Sequence, residues 1–157
     1  MKGSAFDILM AQQDPPPWLF VLFPIIFVGM WTFVCFVISR LGWHRFAMVY
    51  RCHQPPSGST YGVPLVRFGP FTRYNNVVRG IPCESGIYLR NLFFFRAFHP
   101  PILIPWTSVT SIRKASGFLV SGYEIRVEDT AGTLIARFRD SAGPALQQLA
   151  PHLITAH

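Results

Sequence analysis

The sequence predicts one transmembrane α-helix followed by a small α+β domain of antiparallel strands closed by a C-terminal helix. Three observations predict it. An uncharged apolar run of 22 residues covers Trp18–Ser39, the chain after Thr60 breaks into short apolar runs separated by Gly, Pro and Asn, and nearly all the positive charge follows the apolar run. These features divide the 157 residues into a short N-terminal tail (1–17), a transmembrane helix (18–39), a juxtamembrane helix and linker (40–56) and a β domain (57–157). The length suits one anchor and one domain of ordinary size.

The tail carries Lys2, Asp7 and Asp14 and is slightly acidic. A cleavable signal peptide would place positive charge first, follow it with a shorter apolar core and end on an Ala-x-Ala-like site. This sequence does none of these, so the apolar run reads as an uncleaved anchor.

As a helix rising about 1.5 Å per residue, Trp18–Ser39 is roughly 33 Å long, against a hydrocarbon layer of about 30 Å. Fourteen of its residues are Leu, Ile, Val or Phe. Each favours insertion by roughly 0.3–0.6 kcal/mol near the bilayer centre, a sum that outweighs Pro24 near one end. The run is apolar on all sides, unlike a surface helix of a soluble core. Trp18 and Trp43 bracket it where interfacial aromatic anchors are expected. Arg40, Arg45 and Arg51 follow the run and Lys2 alone precedes it. Positive flanks stay inside, which places the N-terminus outside and the C-terminal domain in the cytoplasm, at an inner (cytoplasmic) membrane.

Residues 40–51 have helical periodicity, with Trp43, Phe46, Ala47 and Tyr50 on one face. Two readings fit: an interfacial helix lying on the headgroups, or a continuation of the membrane helix that packs on the following domain. Gln54–Thr60, rich in Pro, Gly and Ser, reads as a linker.

In the β domain the expected strands are Val63–Phe68, Asn76–Ile81, Gly86–Leu92, Ile102–Ile104 running on through Val109–Lys114, Gly122–Glu128 and Thr133–Arg139. Tyr123, Ile125 and Val127 alternate with Glu124, Arg126 and Glu128, a period of two with one wet face. Asp129–Gly132 supplies a hairpin turn, since glycine accepts positive φ. Ser141–Ile154 reads as the closing helix, capped by Ser141, with Pro144 in its first turn, Leu146, Leu149 and Leu153 on its apolar face, and Pro151 ending it early.

Residues 86–112 add a resemblance. Gly86, Tyr88 and Leu89, followed by an apolar hairpin and then by Ile104, Pro105, Trp106 and Val109, resemble bacterial membrane-tethered PH-like (GRAM-like) domains. The resemblance covers part of the domain. It implies a PH-like β-barrel and brings no catalytic residues with it.

The chemistry-bearing residues are sparse. Cys35, Cys52 and Cys83 are odd in number and far apart, and form neither a disulfide framework nor a CxxC site. The five histidines match no metal-ligand spacing, and Ser57–Thr60 lacks the lysine of a P-loop. Cys83 with His99 is the one nucleophile pair that strand pairing could bring together. The expectation is a protein that is not an enzyme and that uses no cofactor and no metal.

Residues 40–157 hold twelve arginines and one lysine against five acids, a net charge of +8. Such a balance suits an anionic leaflet or an acidic partner, and equally reflects cytoplasmic placement. The informative segment is Arg90–Pro101, in which Phe93, Phe94, Phe95 and Phe98 stand among Arg90 and Arg96. It fits a loop touching the bilayer interface, an apolar patch for a partner protein, or plain barrel core with alternate rings inward. The phenylalanines lack the spacing of an RNA-binding sheet, so no nucleic acid is expected. Two functions follow as expectations. One is a membrane-anchored, non-enzymatic binding module that docks on membrane lipids or a membrane-associated protein. The other is a structural accessory subunit of a membrane protein complex.

Overall fold

The computed structural model describes residues 16–115 and 121–155; nearly all of the predicted tail (1–17) lies outside them. Helix α1 covers Pro17–Leu41, three residues longer than the uncharged run, and is long and apolar enough to span a membrane. The chain forms two compact units, and the boundary falls inside α1, between Phe33 and Val34. The expected division set its boundaries at residues 40 and 57. The last two turns of α1 bury Cys35 and Ser39, and helix α2 (Trp43–Tyr50) buries Trp43, Phe46 and Ala47. Both therefore belong to the β unit.

Of the two readings of residues 40–51, packing against the domain is the one observed for the Trp43 face. Trp43 is fully buried, with ring centroids 5.4 Å from Phe68 and 5.7 Å from Tyr74. It is a core residue and cannot serve as the interfacial anchor expected of it. The physical reason is packing: the apolar stripe of the short helix α2 is covered by the sheet that follows. Trp18 is exposed in the first turn of α1.

Strands β1 (Tyr61–Phe68), β2 (Thr72–Cys83), β3 (Gly86–Asn91), β4 (Ile102–Pro105), β5 (Val109–Ala115), β6 (Gly122–Asp129), β7 (Gly132–Arg139) and β8 (Ile154–Thr155) form one sheet in the order β4-β3-β2-β1-β7-β6-β5-β8. Most pairs are antiparallel, but β5–β8 is parallel, so the sheet is mixed and the purely antiparallel expectation fails at its edge.

The chain itself forces the sheet to curl. β4 and β5 stand six places apart in the strand order, about 29 Å in a flat sheet at roughly 4.8 Å per strand. Only the 3-10 turn Trp106–Ser108 joins them, a reach of at most about 14 Å. The result is a half-barrel. The single strand expected across 102–114 is thus two strands broken by this turn.

Two strands outrun their expected bounds, and each carries a local irregularity. β1 starts at Tyr61, which pairs with Gly80, and its register slips between Val63 and Leu65 around Pro64, which cannot donate to the ladder. β2 runs through Asn76, which adopts φ 56°, a left-handed conformation asparagine tolerates. The Asp129–Gly132 turn forms as expected, with Gly132 at φ 118°.

The closing helix, α3, is shorter than expected at Gly143–Leu149. Ser141 does not cap it; Asp140–Ala142 forms a 3-10 turn instead, and Ser141 is exposed. Pro144 lies in the first turn, Leu146 is fully buried, and Pro151 opens another 3-10 turn that leads into β8.

Candidate functional site

β3 ends at Asn91, and the chain then folds into a compact loop, Leu92–Pro101, instead of continuing the strand. Leu92 donates its N–H to the Val77 carbonyl, and Phe93–Phe95 form one 3-10 turn closed by Arg96 N–H on the Phe93 carbonyl. A 3-10 turn sends successive side chains about 120° apart, so alternation in and out of a core cannot occur. Phe93 and Phe94 are each 75 % exposed, Phe98 is half exposed and Phe95 half-buried. The barrel-core reading of these rings is therefore corrected for Phe93, Phe94 and Phe98.

The loop is tied to the end of α1 and to α2 through its own carbonyls. Ser39 Oγ donates to Phe98 O, Trp43 Nε1 donates to Pro100 O at 2.7 Å, and Cys52 N donates to Pro101 O at 3.0 Å. The Phe98 ring meets Phe36 edge to face at 5.2 Å. Phe98 itself has φ 62°, an uncommon conformation for a bulky residue. Such strain persists only where surrounding bonds hold it.

His99 completes the tie. Its Nδ1–H donates to the Ala97 carbonyl at 2.8 Å, and Nε2 accepts from the Tyr74 hydroxyl at 2.9 Å, which fixes the neutral tautomer. Burial holds the imidazole below its ordinary value of 6.5, although the Ala97 bond opposes the shift. Burial likewise pushes the Tyr74 phenol up. The unfolded chain therefore binds a proton near pH 6.5 that the folded chain resists. Stability contributed by neutral His99 is present above that pH and lost as pH falls through the depressed value. Thermal unfolding from about pH 7.5 to about 5 is expected to show this loss, and His99→Gln is expected to reduce the slope. Equal slopes in both proteins would refute the assignment.

The arginines gather less tightly than the rings. Arg90, half-buried on β3, stands opposite Arg79 of β2. Arg96 is exposed and donates Nε–H to Asn91 O at 3.4 Å. Burial raises the Tyr88 phenol, and the positive charges of Arg90 and Arg96 oppose the shift. Sequence reasoning missed Arg79 and Arg139. A Cβ on Gly62 would stand 3.0 Å from an Arg79 guanidinium nitrogen and 3.8 Å from Arg139 Nε. Only strand pairing brings these two residues together, and no local pattern signals it.

Cys83 and His99 do not meet. Cys83 Sγ is bonded to Gly86 O at 3.2 Å, and both ring nitrogens of His99 are engaged elsewhere. Among the described residues no three His, Cys, Asp or Glu side chains converge on a point.

Comparison of the chain with protein-family models, with curated proteins and with solved structures finds no match. The site must be read from its own chemistry. That chemistry is an exposed aromatic loop flanked by guanidiniums and bonded to the end of an apolar helix.

Proposed function

We propose that the chain is a membrane-anchored, non-enzymatic binding module whose β domain docks on anionic lipid headgroups of the leaflet at the C-terminal end of α1. In this reading α1 crosses the membrane with the N-terminus outside, and the β domain, a PH-like module, works in the cytoplasm. The resemblance of residues 86–112, the predominantly antiparallel curled sheet and the closing helix support the PH-like reading.

One observation carries the docking: Phe93, Phe94 and Phe98 are exposed on a loop bonded to the last turns of α1. Phe98 contacts Phe36, one helical turn before Arg40, the first charge after the apolar run. Rings at that level meet the interfacial zone, where burying a phenylalanine side chain is worth about 1.5–3 kcal/mol. Arg90 and Arg96 add about 1 kcal/mol each on an anionic surface.

Hydrogen exchange of the full chain in nanodiscs tests this. Amides of residues 93–98 are expected to exchange about tenfold slower or more in phosphatidylglycerol than in phosphatidylcholine discs. Salt should weaken that protection, as should Arg90→Glu with Arg96→Glu. Equal exchange in both lipids would sink the docking reading and favour an accessory subunit that uses the rings on a protein.

A further inference from the structure

At the end of α1 lies a cleft of about 340 Å³ whose lining includes no residue of the aromatic loop. Its walls include Arg40 and Leu41 from α1, Arg45 from α2, Phe71 from the β1–β2 turn and Gly132 from the β6–β7 turn. No acidic residue lines it. The ion pairs among the described residues are Arg126–Glu128 and Arg137–Glu124, so neither Arg40 nor Arg45 is neutralised by a carboxylate there. Arg40 packs over the Phe36 ring at 5.8 Å and donates to His44 Nε2 at 3.2 Å, contacts that orient the guanidinium and leave its charge intact.

The adjoining hairpin repeats the sign. Arg67 of β1 and Arg73 of β2 are direct cross-strand partners, a like-charge pair that costs stability. Arg67 lines a second hollow that shares Gly69, Pro70 and Thr133 with the cleft. Beside this charge stand two unusually bare apolar side chains, Phe71 at 90 % exposure and Leu41 at 60 %.

We infer that this cleft is a second lipid site, which takes the phosphate of one anionic glycerophospholipid between Arg40 and Arg45 and lays its apolar stem against Leu41 and Phe71. Guanidiniums hold phosphate oxygens in a bidentate fork, and the bare rings and methyls need hydrocarbon cover. A soluble phosphate answers only the first requirement. A phospholipid answers both, and α1 in the bilayer would deliver it at this height. The inference shares with the docking reading only the membrane placement of α1, because it uses none of the loop residues.

Native mass spectrometry of the full chain, extracted in mild detergent and offered phosphatidylglycerol or phosphatidylcholine, reads the site directly. The wild type is expected to retain one phosphatidylglycerol about tenfold more often than phosphatidylcholine. Arg40→Gln with Arg45→Gln should erase that preference, and Phe71→Ser should lower retention of both lipids. These variants are compared in the Arg90→Glu, Arg96→Glu background, which removes the aromatic loop's own preference for anionic lipid and so separates this site from it. Both cleft arginines are exposed, and each single variant should show part of the loss, so a folding defect of the pair would not hide the outcome. Equal retention of the two lipids by the wild type, or undiminished preference in the folded arginine variants, would overturn the inference. Displacement of the lipid by excess inorganic phosphate would also overturn it, by assigning the cleft to a soluble anion.

Discussion

Trp43→Ala is expected to destabilise the β unit by about 3–5 kcal/mol, a large part of the 5–15 kcal/mol that holds a typical domain together. The indole is fully buried and packs against Phe68, Tyr74 and His99, all with centroids within 5.7 Å. Its N–H is bonded to Pro100 O at 2.7 Å. Truncation opens a cavity and at the same time strips a loop carbonyl of its donor. Chemical unfolding of the full chain in mild detergent, followed by circular dichroism, measures the loss. Trp43→Phe, which keeps most of the ring and loses the bond, should cost clearly less. A Trp43→Ala penalty below about 1 kcal/mol is what a headgroup-facing tryptophan would give, and would contradict the burial. Because the same bond fastens Pro100, the variant should also loosen residues 93–98 and weaken lipid-dependent protection there.

Gly86→Ala is expected to be comparably severe, at about 3 kcal/mol or more. Gly86 has φ 153°, and a Cβ there would lie 2.0 Å from the Ile104 carbonyl oxygen and 2.8 Å from Pro105 Cα. Both obstacles are backbone of the paired strand, so relief requires β3 and β4 to part. Their separation would also disturb the neighbouring bond from Trp106 Nε1 to Cys83 O at 2.9 Å. Loss of protease resistance in the β unit reports the effect. Gly29→Ala in α1 is the control, since nothing lies within 4 Å of a Cβ there and alanine favours a helix. If both variants resist proteolysis alike, the close approach at Gly86 is wrong.

Gly86 also sits at the centre of the contacts that join β3 to β4. Gly86 pairs with Pro105 and Tyr88 with Leu103, and Trp106 ties the turn after β4 back to Cys83. Gly86, Pro105 and Trp106 form a structural lock around one strand pair. Their spacing was legible in the sequence because the lock is made by side chains near one another along the chain.

The aromatic loop was half legible. Phe93, Phe94, Phe95 and Phe98 with Arg90 and Arg96 were recognisable as a group, since their composition is unusual over a short stretch. Which way the rings face was not. The carbonyls of Phe98, Pro100 and Pro101 are held by bonds from Ser39, Trp43 and Cys52, which reach across 49 to 59 positions. Hydrophobic pattern alone treats such a run as core, because it measures apolarity and not distant donors.

What the sequence determined by itself was everything set by local physics. The span of α1 follows from uncharged length, the β6–β7 hairpin from strict alternation around Asp129–Gly132, and the early end of α3 from Pro151. Tertiary structure alone decided where the long apolar helix becomes part of the β unit. The sequence placed Trp43 at the membrane edge, as a tryptophan beside an apolar helix suggests, and packing placed it at the centre of the β unit. It also brought Arg40 and Arg45 to one cleft with Phe71, and Arg79 to Arg90. Those placements depend on contacts between distant segments, whose free energy comes from burial across the whole sheet and leaves no periodic trace in any short window.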